Sequence, residues 1–347
     1  MRPPIADDGR NIDASRGALR GEGATLGLDV PDRAYPGSRA LWPRPPSEPA
    51  RSAESPTYYD QPVIKAPVWI WSIAAYLFVG GAAGASAALG SAAQAIDPRG
   101  LRGLILRAHA VSAIGDVLSA GLLIHDLGRP ARFLNMLRVF RPTSPMSMGS
   151  WILTGSGAAS TLALILWPQR GALGRIGNLA GYVSGALGLA LAGYTGVLLA
   201  STAVPVWLGG RRTLPALFLA SGATSAGTIL GLLPLRRRER EVARRFAIMG
   251  GAAELVLGLV YEREVGRSER AARPLHEGVS GALWKLSRGL TAAGLGLALL
   301  GNRRRVSRLA NLLGAGGALA LRVAVFTAGK ASARDPRATF EQQRVGV

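Results

Sequence analysis

The apolar residues of this chain are concentrated in long blocks rather than spaced at the amphipathic period of a soluble helix. Each block has about 20 residues, the length that an α-helix needs to cross roughly 30 Å of hydrocarbon. The pattern therefore predicts an all-α integral membrane protein with eight transmembrane helices. The predicted spans are about 69-91, 103-125, 149-167, 177-200, 213-234, 242-261, 279-300 and 308-328.

The ends of the chain differ in composition from the membrane domain. Residues 1-65 are rich in Pro, Gly, Ser, Arg and Asp and lack the apolar core of a signal peptide, which predicts a disordered N-terminal tail. Residues 66-330 form the predicted transmembrane domain, and 331-347 a C-terminal tail. The spans indicate a multi-pass protein of the cell membrane, and a small excess of Lys and Arg in the odd loops favours termini on the outside.

Small residues recur at helical spacing in two spans. Gly80, Gly84 and Ala88 form such a row on the first span, and Gly181 and Gly185 repeat it on the fourth. Rows of this kind let helix backbones approach closely where lipid removes the hydrophobic driving force. They predict a tight bundle and no particular function.

The charge of the chain fits a membrane location. The formal net charge is +20, but the basic residues lie mostly in the tails and beside the spans, as in "LRRRERE" at 235-241. This favours contact with membrane lipid over nucleic-acid binding. The chain has no cysteine, which excludes disulfides and Cys-ligated iron–sulfur clusters within it.

Ionisable residues inside the predicted spans are candidate functional residues, because burying them in hydrocarbon is costly. Asp116 lies midway along the second span, with His109 seven residues earlier on the same face. Glu254 lies in the sixth span, Lys285 in the seventh and Arg322 in the eighth. Asp116 or Glu254 is expected either to form an internal ion pair with Arg322 or to serve in proton or quinone chemistry.

Hydroxyl groups inside the membrane are a second kind of candidate. Tyr76, Tyr182 and Tyr194 are expected to be interface anchors or hydrogen-bond donors to a buried ligand. Two hydroxyls are placed mid-membrane by Tyr194 and Thr195. Pro205 is expected to break the helix that contains the last two, and Trp207 to lie at the membrane interface.

A haem held by two histidines of this chain is excluded by geometry. His109 and His125 are 16 residues apart on one helix, about 24 Å by the helical rise, so they cannot ligate one iron axially. His276 lies in a hydrophilic loop. No metal-site spacing, Walker loop or dinucleotide fingerprint followed by the required fold appears, and the chain is therefore expected to carry no redox cofactor of its own.

The loop after the second span has unusual chemistry. In "DLGRPARFLNMLRVFRPTSPMSMGSW", 126-151, Phe133, Met136, Leu137 and Phe140 recur at the spacing of one helix face. This predicts a short interfacial helix with its apolar face toward the bundle. Pro142 ends it, and a turn-prone strip of hydroxyl and methionine residues follows.

This loop and three other segments make the sequence resemble the NrfD and polysulfide reductase membrane subunits. These subunits are the eight-helix anchors of molybdopterin oxidoreductase complexes. The matching segments are the loop itself, "YYDQPVIKAPVWIWSIAAYLFVGGAAGASA" at 58-87, "YTGVLLASTAVPVW" at 194-207 and "LRVAVFTAGKASARDPRATFEQQR" at 321-344. The resemblance implies two four-helix bundles. It also implies electron exchange between a quinone or quinol, menaquinone or ubiquinone, and a ferredoxin-like 4Fe-4S subunit. That subunit would connect to a molybdopterin catalytic subunit with Mo or W.

The resemblance also implies roles for individual residues. Tyr76 and Ile73 match positions where the polysulfide reductase branch presents a histidine and an asparagine to the quinone. Tyr76 can donate a hydrogen bond to a quinone carbonyl, whereas Ile73 cannot, which favours another branch, such as one like formate dehydrogenase. Four further residues match the family loop, namely Asp126, Arg129, Arg132 and Ser144. They are expected to close the quinone pocket or dock the iron–sulfur subunit.

Three functions follow from these patterns. The first is a membrane anchor that reacts with quinone, in which Tyr76, His109 and Asp116 handle the quinone or its protons. The second is a structural anchor without quinone chemistry, which Ile73 favours. The third is an ion-translocating module that uses Glu254, Lys285 and Arg322 as a deeper polar track.

Overall fold

Twelve helices account for most of the computed structural model, which describes residues 11–13, 18–20, 63–128, 131–300 and 303–344. The helices are α1 Trp71–Ile96, α2 Arg102–Leu127, α3 Ala131–Arg138, α4 Pro145–Leu166, α5 Gly171–Ala200, α6 Pro205–Gly209, α7 Leu214–Leu232, α8 Arg237–Val265, α9 Glu269–His276, α10 Gly278–Leu300, α11 Arg304–Ser332 and α12 Pro336–Arg344. Two short strands, β1 Asn11–Asp13 and β2 Ala18–Arg20, pair antiparallel with Asn11 opposite Arg20. The rest of the predicted disordered tail up to residue 62 lies outside the described residues.

The eight long helices pack in two groups of four. The first bundle contains α1, α2, α4 and α5, and the second contains α7, α8, α10 and α11. Helices α1, α5, α7 and α11 form the contact between the bundles. The short helices α6, α9 and α12 pack together at one end, so most of the predicted C-terminal tail is an ordered helix.

Six helices are long and apolar enough to cross a membrane, namely α1, α2, α4, α5, α7 and α11. The chain is therefore a multi-pass membrane protein. The sixth and seventh predicted spans coincide with α8 and α10, which contain Glu254, Lys285 and Arg288 and are less apolar than these six. The count of eight spans accordingly stays a prediction.

The predicted rows of small residues lie where α1 meets α5. A Cβ on Gly84 would collide with the carbonyl oxygen of Gly188, and a Cβ on Gly185 would collide with the side chain of Ser91. Gly181 lies in the same way against Gln94, whose amide donates to the side-chain oxygen of Asn178 at 3.1 Å. The prediction of close backbone approach is confirmed at Gly84, while side chains of α1 fill the space at Gly181 and Gly185, and Gly80 faces Ser119 on α2. The contact at Gly84 sets the distance between the two helices that carry Tyr76 and Tyr194.

The region between α5 and α7 departs from one expectation. Helix α5 ends at Ala200 and α6 begins at Pro205, so the predicted break is confirmed. Trp207, however, was predicted to anchor at the membrane interface and is fully buried in protein instead. Its indole Nε1 donates to the Val325 carbonyl at 2.8 Å and its ring stacks on Trp69, because α6 folds back over the end of α11.

Candidate functional site

One face of α2 carries a continuous polar row into the interior of the first bundle. His109, Ser112, Asp116 and Ser119 follow one another at spacings of three and four residues, which place them on one side of a helix. None is more than 2% exposed. The row therefore faces protein and not lipid.

Asp116 is surrounded by serine hydroxyls. Its Oδ2 accepts hydrogen bonds from the Oγ atoms of Ser156 at 2.9 Å, Ser160 at 3.3 Å and Ser112 at 3.4 Å. The other oxygen, Oδ1, has no partner among the described residues. A buried carboxyl group that has hydroxyl donors but no cation beside it can hold either a proton or a charge, and its free oxygen can bond to a ligand.

Two tyrosines approach this carboxyl group. Tyr76 on α1 is 2% exposed and lies close enough to Asp116 and Tyr194 to interact with both electrostatically. The phenol of Tyr194 on α5 occupies the space that a Cβ on Gly149 would need. Its hydroxyl faces the backbone of Gly149 in the first turns of α4. Four helices thus bring Tyr76 next to both Asp116 and Tyr194, and Oδ1 of Asp116 has no hydrogen-bond partner among the described residues.

His109 is isolated from this cluster. Both ring nitrogens lack a partner among the described residues, and the ring lies beside Gly90 in an apolar region. Two helical turns, about 10 Å along the axis, separate it from Asp116. Ser112 lies between them and bonds to Asp116, so direct proton transfer from His109 to Asp116 has no support in this arrangement.

A second buried carboxyl group lies in the other bundle. Glu254 on α8 is 2% exposed, and its Oε1 accepts a hydrogen bond from Thr291 on α10 at 2.8 Å. Ser221 and Thr224 on α7 lie beside the same carboxyl group. Lys285, which was predicted to share a polar track with Glu254, is exposed on the surface of α10, because it lies about a third of a turn around the helix from the buried Trp284 and Thr291.

Arg322 joins the two bundles without forming the predicted ion pair. Its guanidinium donates to the carbonyl of Phe218 at 2.5 Å and to Oγ1 of Thr195 at 3.3 Å, and it lies 3.9 Å from the centre of the Phe218 ring. Within the described ranges it makes no direct salt bridge to Asp116 or Glu254. Glu254 interacts with it electrostatically at longer range. The expected contact is replaced because a backbone carbonyl and a hydroxyl lie nearer to the charge.

Two of the four predicted loop residues, Asp126 and Ser144, form hydrogen bonds at the start of a helix. Asp126 accepts a hydrogen bond from the backbone N–H of Ile70 at 3.0 Å, next to the first residue of α1. Ser144 caps α4 by accepting from the N–H of Ser147. Arg129 lies outside the described residues, and Arg132 is known only as part of the backbone of α3.

The short helix that was predicted after the second span is present as α3. Phe133, Met136 and Leu137 are partly buried and Asn135 is exposed, as the periodicity predicts. Phe140 is 56% exposed and meets Trp151 edge-on, so the apolar face ends before it.

Sequence reasoning missed the partners of the buried charges. Ser156 and Ser160 are four residues apart on α4, and Ser112 precedes Asp116 by four on α2. This spacing places the two groups of each pair on one face of their helix, so the sequence could have predicted hydroxyl partners for Asp116. The bonds of Arg322 to Phe218 and Thr195 had no such signal, since they join residues 104 and 127 positions apart.

The architecture and its buried polar residues define a polytopic helical-bundle membrane protein. A family model described as polysulfide reductase, of the NrfD type, matches residues 56–334. The chain belongs to this family and is therefore a membrane anchor subunit of the kind that associates with a catalytic oxidoreductase subunit. A comparison with curated proteins found no match.

Proposed function

We propose that this protein exchanges electrons between the quinone pool of the cell membrane and a ferredoxin-like 4Fe-4S subunit, which connects it to a molybdopterin catalytic subunit. The observation that supports the proposal is the cluster of Tyr76, Tyr194 and Asp116 in the first bundle. Two phenol donors suit the two carbonyl oxygens of a quinone, and a carboxyl group with a free oxygen suits the proton that accompanies each electron.

The chemistry defines what the residues must do. Oxidation of a quinol to a quinone releases two electrons and two protons, and reduction takes up the same numbers. The electrons leave to the partner subunit, because this chain offers no Cys ligands for a cluster of its own. The protons need a buried acceptor, and Asp116 has one unoccupied oxygen for this purpose. Tyr76 and Tyr194 would orient the quinone.

The purified complex provides the test. Asp116→Asn keeps the shape and the serine contacts but removes the proton acceptor, so turnover with a soluble quinone analogue should fall by about a hundredfold, within the usual contribution of acid–base catalysis. Tyr76→Phe and Tyr194→Phe should raise KM more than they lower kcat. Tyr182→Phe is the matched control, since Tyr182 lies on α5 as well but is 45% exposed and should leave both constants unchanged.

A structural anchor without quinone chemistry is the second candidate function. It is favoured by Ile73, which is 5% exposed and packs as a core residue beside Tyr76 with no polar atom to offer. Under this alternative, the complex would assemble and lipid extracts of it would contain no quinone. The Asp116→Asn variant would then have the catalytic activity of the unaltered complex with every electron acceptor.

A further inference from the structure

Four short turns that join the long helices in pairs lie at the same end of the molecule. They connect α1 to α2, α4 to α5, α7 to α8 and α10 to α11. Gln94 near the end of α1 donates to Asn178 near the start of α5 at 3.1 Å. Asp97, just after α1, pairs with Arg238 of α8 at 2.9 Å, and Arg244 of α8 donates to a carbonyl near the end of α10 at 2.7 Å. These contacts place all four turns on one face of the protein.

Arginine dominates the charge of this surface, which we call the arginine face. The arginine face consists of residues 97–107, 167–175, 233–245 and 303–308. These segments contain 15 arginines and three acidic residues. The carboxylates of Asp97 and Glu241 already pair with arginines of the face, and the buried Glu239 accepts from two backbone N–H groups. The remaining positive charge is therefore not neutralised within the described part of the chain.

The opposite end of the protein differs, because its arginines lie among glutamates. On α9 Arg273 pairs with Glu277 at 2.7 Å, and Arg270 lies 3.8 Å from Glu341 of α12. The first turn of α11, by contrast, has no acidic residue, and the arginines at 303–305 are exposed. The two ends thus differ in free positive charge and not only in their number of basic residues.

The arginine face lies at the depth of lipid headgroups. Helices α5 and α11 contain 30 and 29 residues, which corresponds to about 45 and 44 Å by the helical rise. Both are apolar enough to cross a membrane, and both are longer than the roughly 30 Å of its hydrocarbon core. Their first turns therefore extend into the headgroup layer.

One turn deeper than these arginines, both helices expose leucines. In each of three pairs an exposed arginine precedes an exposed leucine by four residues, which places the two side chains on one helix face. The pairs are Arg175 with Leu179, Arg305 with Leu309 and Arg308 with Leu312. The leucines are 65%, 49% and 59% exposed, respectively. Each pair presents a cation at the level of a headgroup and an apolar side chain at the level of an acyl chain.

We propose that the arginine face binds the headgroups of anionic phospholipids, whose acyl chains lie along α5 and α11. A guanidinium suits this ligand because it donates two parallel hydrogen bonds to one phosphate. A soluble acidic protein would neutralise the arginines but would not reach the leucines one turn deeper in the membrane. The start of α11 is the strongest part of the surface, since residues 303–308 contain four arginines and no acidic residue. The proposal does not depend on whether the first bundle binds quinone.

Native mass spectrometry of the full chain in detergent tests the proposal with phosphatidylglycerol and phosphatidylcholine of equal acyl-chain length. The unaltered chain should bind phosphatidylglycerol about tenfold more tightly or better, because each basic residue at the headgroup layer adds to the attraction for an anionic lipid. A triple variant carrying Arg304→Gln, Arg305→Gln and Arg308→Gln should lose about tenfold in affinity for phosphatidylglycerol. Its affinity for phosphatidylcholine should not change.

The matched control removes the same charge from the opposite end of the protein. Arg211→Gln, Arg212→Gln and Arg267→Gln together change exposed positions there and should leave the affinity for both lipids as it is. Equal losses in the two triple variants would overturn the proposal, as would equal affinities of the unaltered chain for the two lipids. Arg308→Gln alone is the smaller step if the first triple variant does not fold, with an expected loss of about threefold.

Two soluble competitors distinguish a lipid from other anionic ligands. Glycerol phosphate carries the charge of the headgroup without acyl chains, and polyglutamate carries the charge of an acidic protein surface. Neither should displace phosphatidylglycerol when it is added at the same concentration of negative charge. Displacement by glycerol phosphate would show that the exposed leucines add nothing to binding, and displacement by polyglutamate would assign the face to an acidic protein. Either result would overturn the proposal.

Discussion

The guanidinium of Arg322 carries a permanent charge into the middle of the protein, where it is 1% exposed. It is stabilised by one carbonyl, one hydroxyl and one aromatic face rather than by a carboxylate in direct contact. A planar group with several donors can make all three contacts at once. A lysine at this position could not, since its ammonium is compact and does not stack.

Arg322→Lys should therefore lower the stability of the chain in detergent. We expect a loss of about 1 to 3 kcal/mol, the cost of leaving a buried acceptor unsatisfied. Thermal unfolding followed by circular dichroism would measure it, with the exposed Arg305→Lys as control. An unchanged midpoint would show that the contacts to Phe218 and Thr195 contribute nothing to stability.

The depth of the buried charges could be predicted from the sequence, but their partners could not. Asp116, Glu254 and Arg322 stand out because each interrupts an apolar block, and all three are buried as expected. Which groups they bond to depends on the rotation and register of helices that are distant in sequence. For this reason the sequence did not show that a carbonyl and a hydroxyl, rather than a carboxylate, contact Arg322.

At the scale of helices, the contact between α1 and α5 sets the geometry of the first bundle. Gly84 and Gly188 lie backbone to backbone, and Gly81 leaves room for the guanidinium of Arg322. Since Tyr76 and Tyr194 lie on these two helices, their separation depends on this contact. The rows of small residues predicted that helices pack closely there. They did not predict which helix faces each row.

Gly84→Leu should force the two helices apart, because the atoms that face Gly84 belong to the backbone of α5 and cannot rotate away. We expect it to destabilise the chain by at least about 1 to 3 kcal/mol, which is typical of overpacking. Gly121→Leu on α2 is the control, since a Cβ there meets nothing within 4 Å. Thermal unfolding in detergent would compare the two. If Gly84→Leu unfolded at the same temperature as Gly121→Leu, the α1–α5 contact would not be as close as described.

At the scale of the whole molecule, the C-terminal helix closes one end of the protein. Gln342 on α12 donates to the carbonyl of Pro205 on α6 at 3.0 Å, and Glu341 accepts from the backbone N–H of Glu269 on α9. Composition predicted a tail here because the segment is too polar and too short to span a membrane. Its order comes from contacts with two other short helices, which a single-sequence pattern does not reveal.

Gln342→Ala should loosen this end, because it leaves the buried Pro205 carbonyl without its donor. We expect faster hydrogen exchange in α6 and α12 and a loss of about 1 kcal/mol of stability. Arg334→Ala, in an exposed position just before α12, is the control and should change neither. Unchanged exchange in α6 would mean that α12 contributes nothing to the closure of this end.

The position of Arg322 also has a consequence for how the protein is made. The residue lies in α11, while its partners Thr195 and Phe218 are synthesised more than a hundred residues earlier. An arginine at a helix centre opposes insertion by about 2.5 to 3.5 kcal/mol when the helix enters lipid alone. Partners already present in the membrane offset this cost. Insertion of α11 is therefore coupled to prior assembly of α5 and α7. A chain cut between α7 and α11 would have to bring its two pieces together before the second could be stably inserted.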